Sequence, residues 1–296
     1  MASQSQRTLL VTGANGKLGR KVVELLLEAK AGRVIAGSRD TKKLADLSAN
    51  GAEARRVDFD DPASLKEAFA GVERALIIST DALGSGKRGR QHQAAIAAAK
   101  AAGVKHLVYT SMPKPEPGNA VIFASDHRDS ERALADSRLG YTVLRNNWYQ
   151  ENLLGSLPNI IKSGKWFSSA GDGRIAHVSH DDCARAAAAA LASDASGPQR
   201  YDISGPRALT TAELAAIVAE VVGAKIQVVK TSDEQLAAGM KAAGVPEGFV
   251  AMLVSFDVNQ RQGGFDVVSG DVKALTGRPP REFRDFVVAN KAVLAS

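Results

Sequence analysis

At 296 residues the chain removes roughly three quarters of its unfolded surface from water on folding, and it admits one large domain or two unequal ones. With 45% hydrophobic residues, 24% charged residues and one cysteine, Cys183, the composition is that of a soluble globular protein without an internal disulfide, and no apolar run approaches the ~20 residues of a membrane span. The 38 lysines and arginines outnumber the 32 acids, for a formal net charge of +6, yet they are dispersed without a like-charge run or a recognisable binding module, which argues against a nucleic-acid partner and for a solvated surface able to attract an anionic cofactor.

Met1 to Thr8 is polar, with no apolar stretch ahead of a cleavage site, so a cytoplasmic protein is expected. The apolar run Leu9-Leu10-Val11 then breaks into Gly13, Gly16 and Gly19, spaced G-x-x-G-x-x-G, and restarts as a helix with Leu18, Val22, Leu25, Leu26 and Ala29 on one face. Strand, glycine turn and amphipathic helix in this order read as a dinucleotide grip. The turn brings backbone close to a pyrophosphate, and the helix aims its first amides and positive dipole end at the phosphates. An ordinary strand-to-helix turn shares the glycines but not the whole context. Gly13, Asn15, Gly16, Lys17, Leu18 and Gly19 are the expected cofactor contacts.

The second strand, residues 33–38, ends at Arg39 and Asp40, about twenty residues past the last glycine, where the adenosine ribose is read. A guanidinium pairs bidentately with a 2′-phosphate, whereas an acid accepts hydrogen bonds from a free diol. Arg39, followed by Lys42 and Lys43, therefore favours NADP(H) over NAD(H), while Asp40 keeps NAD(H) open. The third strand, residues 54–57, stops at Asp58 and Phe59, placed to bracket an adenine, and Asp61-Pro62 reads as a helix cap followed by proline in the first turn.

A continuously apolar fourth strand ends at Ser79 and Thr80, after which Gly84, Ser85 and Gly86 read as a mobile loop. Gly86-Lys87 does not complete a P-loop, since Arg88 stands where Ser or Thr is required. An alanine-rich crossover helix, residues 89–102, leads to a fifth strand closing at Thr110 and Ser111. The alternation implies an α/β fold with a Rossmann-type, doubly wound parallel sheet and a ligand at the carboxyl ends of its strands. Ser79, Thr80, Thr110 and Ser111 fall at such ends, as cofactor contacts or as plain strand terminators.

The run Val11 to Gly19, Arg39, Asp58 and the segment Tyr141-Thr142-Val143-Leu144-Arg145-Asn146-Asn147-Trp148-Tyr149-Gln150-Glu151-Asn152 together resemble the NmrA-like, atypical branch of the short-chain dehydrogenase/reductases. Within it the chain is most similar to the small bacterial NAD(P)H:quinone oxidoreductases and their triphenylmethane-dye reductase relatives, over nearly its full length. The superfamily's Tyr-x-x-x-Lys pair falls on Phe123 and His127, so its alcohol and ketone chemistry is not carried over. The resemblance implies hydride transfer from NADPH to a quinone or similar planar electron-poor acceptor, where orientation dominates and an enzymic acid matters less.

His127 is then a candidate to steady a ribose hydroxyl or a developing oxyanion, as the side chain most easily protonated near neutral pH; a partly exposed helical histidine without a role is the alternative. Asn146 and Tyr149 are further catalytic candidates. Asn147, Trp148, Phe123 and Phe249 are candidate substrate contacts, with core packing the competing role for each ring. Two other readings stay open: a non-enzymatic NADP(H)-sensing regulator of the NmrA type, and an isoflavone-reductase-like reduction of a benzylic ether or alkene, against which His127 counts in place of a lysine.

His177, His180, Asp181, Asp182 and Cys183 are metal-ligand types, but their spacing fits no zinc signature and the acids sit where a helix begins; no metal is expected. Ser125, Asp126 and His127 are neighbours on a helix, and adjacency does not make a triad. Thr210-Thr211-Ala212-Glu213 reads as a capping box, residues 226–229 as a short strand, and the remainder as small helices. The expected organisation is a cofactor domain over residues 1–150, with 174–204 contributing late strands and a helix, and a smaller, mostly helical substrate domain over 151–173 and 205–296. A homodimer is the candidate assembly.

Overall fold

The computed structural model describes residues 7–82 and 86–294, so Gly84 and Ser85 of the expected loop lie outside the described residues. In chain order β1 (Thr8–Val11), α1 (Lys17–Glu28), β2 (Arg33–Ser38), α2 (Ala45–Ala49), β3 (Glu53–Arg56), α3 (Pro62–Phe69), β4 (Arg74–Ile77), α4 (Lys87–Ala101), β5 (His106–Ser111), α5 (Ala124–Ser137) and β6 (Gly140–Asn146) alternate as the sequence pattern requires. There follow α6 (Leu157–Ser163), β7 (Lys165–Ser168), β8 (Arg174–Ile175), α7 (His180–Ala192), β9 (Gln199–Ile203), β10 (Leu209–Thr210), α8 (Thr211–Val222) and β11 (Gln227–Lys230). The chain closes with α9 (Asp233–Ala242), α10 (Glu247–Arg261), α11 (Asp271–Thr276), α12 (Phe283–Ala289) and α13 (Lys291–Leu294).

The main sheet runs β3-β2-β1-β4-β5-β6-β9. Strands β1 to β6 pair in parallel, and Val11 at the end of β1 lies between Ala36 of β2 and Leu76 of β4. The order reverses at β1, which makes the gap between β1 and β4 the topological switch point. Leu9, Leu10, Val11, Ile35, Ile77 and Leu107 are fully buried, consistent with strands covered on both faces. Asp61 caps α3 as expected, accepting from Ala63 N (3.0 Å) and Ser64 N (3.2 Å) ahead of Pro62 in the first turn.

The chain divides into two units: residues up to Ser111 with Asp126–Arg145 and His180–Tyr201, and Met112–Ser125 with Asn146–Ser179 and Asp202–Ser296. These boundaries differ from those expected. Residues 112–125 join the second unit because Met112, Val121 and Ala124 are buried in its apolar cluster with Leu157, Phe256 and Phe286. Residues 146–150 join it as well, Asn147 N donating to Ile203 O (2.8 Å) and Gln150 N to Val178 O (2.9 Å). Of the stretch 174–204 only α7 and the start of β9, as far as Tyr201, serve the first unit, since β8 pairs antiparallel with β10 in a small sheet of its own.

Within the second unit, Thr210 and Glu213 form the expected capping box on α8, and a second box, Ser232 with Gln235, starts α9. The short strand expected near residue 226 is β11, paired in parallel with β7. Among the described residues no helix is long and apolar enough to cross a membrane.

Arg74, the first residue of β4, fastens α7 to the first unit. Its buried guanidinium donates to Leu191 O (2.8 Å), Ala195 O (2.8 Å) and Ala190 O (3.3 Å), satisfying carbonyls at the helix's negative end. Replacing it by methionine keeps much of the volume but strands those acceptors. The expected result for Arg74→Met is a fall of about 3 kcal/mol in unfolding free energy by urea titration; a loss below about 0.5 kcal/mol would show that these bonds are not a stabilising clamp.

Candidate functional site

The site starts where β1 ends. Thr12 donates its amide to Leu76 O (3.0 Å) and takes Ile78 N on its hydroxyl (3.0 Å), while Ala14 N reaches Gly37 O (2.9 Å); three bonds thus tie the end of β1 to both neighbours. Gly13 adopts φ +65°, a left-handed conformation that glycine enters without steric cost. A Cβ on Gly19 would lie 2.4 Å from Gly13 O, so α1 starts closer to the strand than any side chain permits. Gly16 caps α1 without a side-chain bond, and the first turn carries no acid. The first amides and dipole end of α1 are therefore offered to an anion, as a pyrophosphate site requires. Gly13, Asn15, Gly16 and Lys17 are exposed there, whereas the Leu18 side chain is buried and contributes only backbone.

After β2, Arg39 and Lys43 are exposed. Asp40 caps the single helical turn Thr41–Leu44, accepting from Lys42 N at 3.1 Å. After β3, Asp58 organises its own turn, accepting from Asp60 N (3.1 Å) and pairing with Arg56 (3.1 Å). Phe59 packs half-buried against the first unit's core. Asp60 pairs with Lys87 (3.1 Å) and accepts from Gln91 Nε2 (2.9 Å), joining this turn to α4.

Beyond β4 three consecutive amides are each taken by a side chain: Ile78 N by Thr12 Oγ1 (3.0 Å), Ser79 N by Thr110 Oγ1 (2.9 Å) and Thr80 N by His92 Nε2 (3.0 Å). Ser79, Thr80 and Thr110 are thus brought together. Ser111 is not: its hydroxyl donates to Glu131 (2.6 Å), which also holds Arg145 through two bonds (3.0 and 2.7 Å). Its hydroxyl anchors this largely buried ion pair.

His127 is buried, with Nδ1 2.9 Å from Tyr109 Oη and Nε2 3.5 Å from Arg88 Nη1. The donors assign the tautomers. Thr80 N can only donate, so His92 Nε2 accepts and its proton sits on Nδ1, 2.9 Å from Ser130 Oγ, whose own hydrogen goes to Asp126 O (2.6 Å). Arg88 likewise only donates, so His127 Nε2 accepts and its proton points from Nδ1 to Tyr109. Burial, then the Arg88 guanidinium, then His92 hold the His127 pKa well below the usual imidazole range, and burial followed by Arg88 lowers that of His92 to about 3. Both sequence readings of His127 are corrected: it is neither partly exposed nor readily protonated, but an enclosed neutral ring.

In the second unit, Asn146 is buried at the end of β6 and donates from Nδ2 to Tyr149 Oη (3.1 Å), while its Oδ1 meets no protein donor. Exchanging the amide's N and O would strand the other atom instead. Asn147 is fully occupied, donating to Phe265 O (3.0 Å) and Val267 O (3.4 Å) and accepting from Trp148 N (2.8 Å). Its amide acts as a buried fastener between these segments. Trp148 and Phe123 pack on Phe256, with centroids 4.1 and 6.0 Å apart, whereas Phe249 on α10 is half exposed and outside that cluster. Asp181 and Asp182 occupy the first turn of α7, Asp182 pairing with Arg185, and among the described residues no three His, Cys, Asp or Glu are grouped to hold a metal ion.

Arg88, His92 and Tyr109 escape the sequence reading, although a signal existed. Arg88, His92, Ala95, Ile96 and Ala99 share one buried face of α4, so two polar residues stand on an otherwise apolar stripe.

A family model described as NAD(P)H-binding matches residues 13–194. The chain belongs to this family, in its NmrA-like branch. It is 37% identical to quinone oxidoreductase 2 of Escherichia coli, covering 94% of this chain and 97% of that protein. It is similar to the crystal structure of an NADPH-dependent quinone oxidoreductase from Escherichia coli complexed with NADPH (TM-score 0.89, 36% identity, 95% and 99% of the two chains). It is also similar to the Citrobacter triphenylmethane reductase complexed with NADP(H) (TM-score 0.89, 31% identity, 96% and 99%). For a member of the NAD(P)H-binding family, the uncapped start of α1 under Gly13 fits the cofactor's pyrophosphate on donor chemistry alone.

The neutral imidazoles set the acid stability of the first unit. His106, also buried and next affected by Arg74, has its pKa lowered to about 4. His92, His106 and His127 all titrate below the unfolded value of 6.5, so under pH 6.5 the unfolded chain binds more protons and stability falls as pH falls. Urea midpoints should hold above pH 6.5 and then drop, each ring contributing about 1.4 kcal/mol per pH unit until its folded pKa is reached. Midpoints unchanged from pH 7 to 5 would contradict this.

Proposed function

We propose that the chain is a reductase passing hydride from NADPH to a quinone or a similar planar, electron-poor acceptor. The observation that carries the reading is the pairing of an uncapped pyrophosphate cradle at Gly13–Gly19 with the lack of a proton donor turned to an acceptor at Phe123 and His127. Phe123 is an aromatic packing residue, and His127 is neutral with its proton turned to Tyr109. Hydride addition to a quinone ring yields an aromatic hydroquinone anion, a reaction that asks for orientation more than for acid catalysis. The names of the similar proteins, quinone oxidoreductase and triphenylmethane reductase, support planar conjugated acceptors.

NADPH, when bound, supplies the hydride. The chain's own residues bind and orient. The amides of α1 hold phosphate charge, and the hydroxyl-bearing ends of β4 and β5, Ser79, Thr80 and Thr110, carry the neighbouring cofactor contacts. Arg39 and Lys43 favour the 2′-phosphate because they are exposed, whereas Asp40 has one carboxylate oxygen committed to Lys42 N. In the second unit, Asn146 holds the Tyr149 phenol and keeps its buried Oδ1 without a protein donor, a position able to take a polar group.

Purified protein mixed with NADPH and a panel of benzo- and naphthoquinones is expected to oxidise the cofactor. NADPH binding without turnover on any acceptor would overturn the reductase reading and favour an NADP(H)-sensing regulator. Arg39→Ala should raise KM for NADPH about tenfold and leave that for NADH within about twofold, as loss of one charge-assisted phosphate contact implies. Equal weakening of both cofactors would show that Arg39 does not read the phosphate.

A further inference from the structure

The segment Ile78–Thr80 continues past the last laddered residue of β4, yet its amides are not left to water. Each is bound by a side chain from a different element: Thr12 after β1, Thr110 in β5 and His92 in α4. The two threonines stand at the ends of adjoining strands. His92 is the outlier, an imidazole on the buried face of an alanine-rich helix, fully enclosed. Its Nδ1 is held by Ser130 Oγ at 2.9 Å and lies 3.2 Å from Tyr109 Oη, so ring orientation is fixed from behind while Nε2 meets Thr80 N at 3.0 Å. The Thr80 hydroxyl adds a bond to Gln91 Oε1 (2.8 Å) on the same helix. A leucine or methionine would fill this enclosed space and suit helix propensity better; what the imidazole adds is an acceptor at the end of β4.

We propose that His92 is a positioning residue: by accepting the Thr80 amide it fixes the backbone beyond β4, at the switch point where a dinucleotide lies, and so sets the fit of NADPH. The inference rests on the NADPH reading above. His92 touches no reacting atom in this account. It acts through Thr80, and its neutral Nδ1–H tautomer, dictated by the amide in front and Ser130 behind, is the form that can do so.

Two substitutions separate positioning from folding. The amide oxygen of glutamine reaches the place of an imidazole Nε2, whereas that of asparagine reaches only the place of Nδ1. His92→Gln can therefore still accept from Thr80, and His92→Asn can meet Ser130 but not Thr80. Three quantities are read on the full-length protein: hydrogen exchange at the Thr80 amide, melting temperature, and NADPH affinity by fluorescence titration. The expected outcome is that His92→Asn exchanges Thr80 at least about tenfold faster and binds NADPH about tenfold more weakly, as one lost orienting bond implies. His92→Gln should stay within about twofold of the parent in both, at a melting temperature similar to that of His92→Asn. Unchanged NADPH affinity in His92→Asn despite faster Thr80 exchange would overturn the proposal, as would equal weakening in both variants. Because affinity is read without an acceptor, failure to reduce any quinone would count against the acceptor reading and leave this test standing.

Discussion

The carbonyl oxygen of Gly13 lies where a side chain on residue 19 would have to begin, 2.4 Å from an ideal Cβ. This close approach lets α1 start directly beneath the end of β1, with Leu18, Val22, Val23 and Leu26 buried and its first amides uncapped. The adjoining residues carry the constraint outward. Thr12 and Ala14 bind backbone of β4 and β2, so the turn that exposes phosphate-binding amides also closes the switch point of the sheet. A side chain at Gly19 would push the helix from the strand, and the cradle and the junction of three strands would be lost together.

Behind this cradle the first unit buries a polar network that contains no acid ready to act at neutral pH. Arg88 and the Thr80 amide are pure donors: from Arg88 the hydrogens run through His127 to Tyr109, and from Thr80 through His92 and Ser130 to Asp126 O. A buried polar group without a partner costs about 1–3 kcal/mol, so once the ends are donors the orientation of the interior follows. Protonating either ring would put two donors face to face beside the Arg88 charge. The network holds backbone and tautomer in place, and this matches a chemistry in which the cofactor does the reducing and the protein aligns the partners.

Local signals made much of this legible in the chain. Three glycines after Leu9-Leu10-Val11, Asp61 before Pro62 and Thr210 three residues before Glu213 each act within one turn of backbone, and each forms as read. What sequence could not supply depends on partners far along the chain. His127 meets Tyr109 and Arg88, 18 and 39 residues away, and only these contacts turn an apparently solvated helical histidine into an enclosed neutral one. Asn147 looks like a ligand-binding amide until Phe265 and Val267 occupy it, and residues 112–125 look like part of the cofactor domain until their apolar side chains find the core around Phe256 and Phe286. His92 is the intermediate case: its position on a buried apolar stripe marked it, while its partner Thr80 did not.

The central claim is that the chain orients a hydride transfer without supplying a proton from His127. The most direct test is the pH dependence of the hydride-transfer step, isolated by its primary deuterium isotope effect with 4-deuterated NADPH and a benzoquinone. A full isotope effect with a rate flat between about pH 6 and 8 is predicted, unchanged in profile by His127→Asn. An acid limb with a pKa near 7 in the parent protein that vanishes in His127→Asn would contradict the account, because it would make the buried imidazole the proton donor.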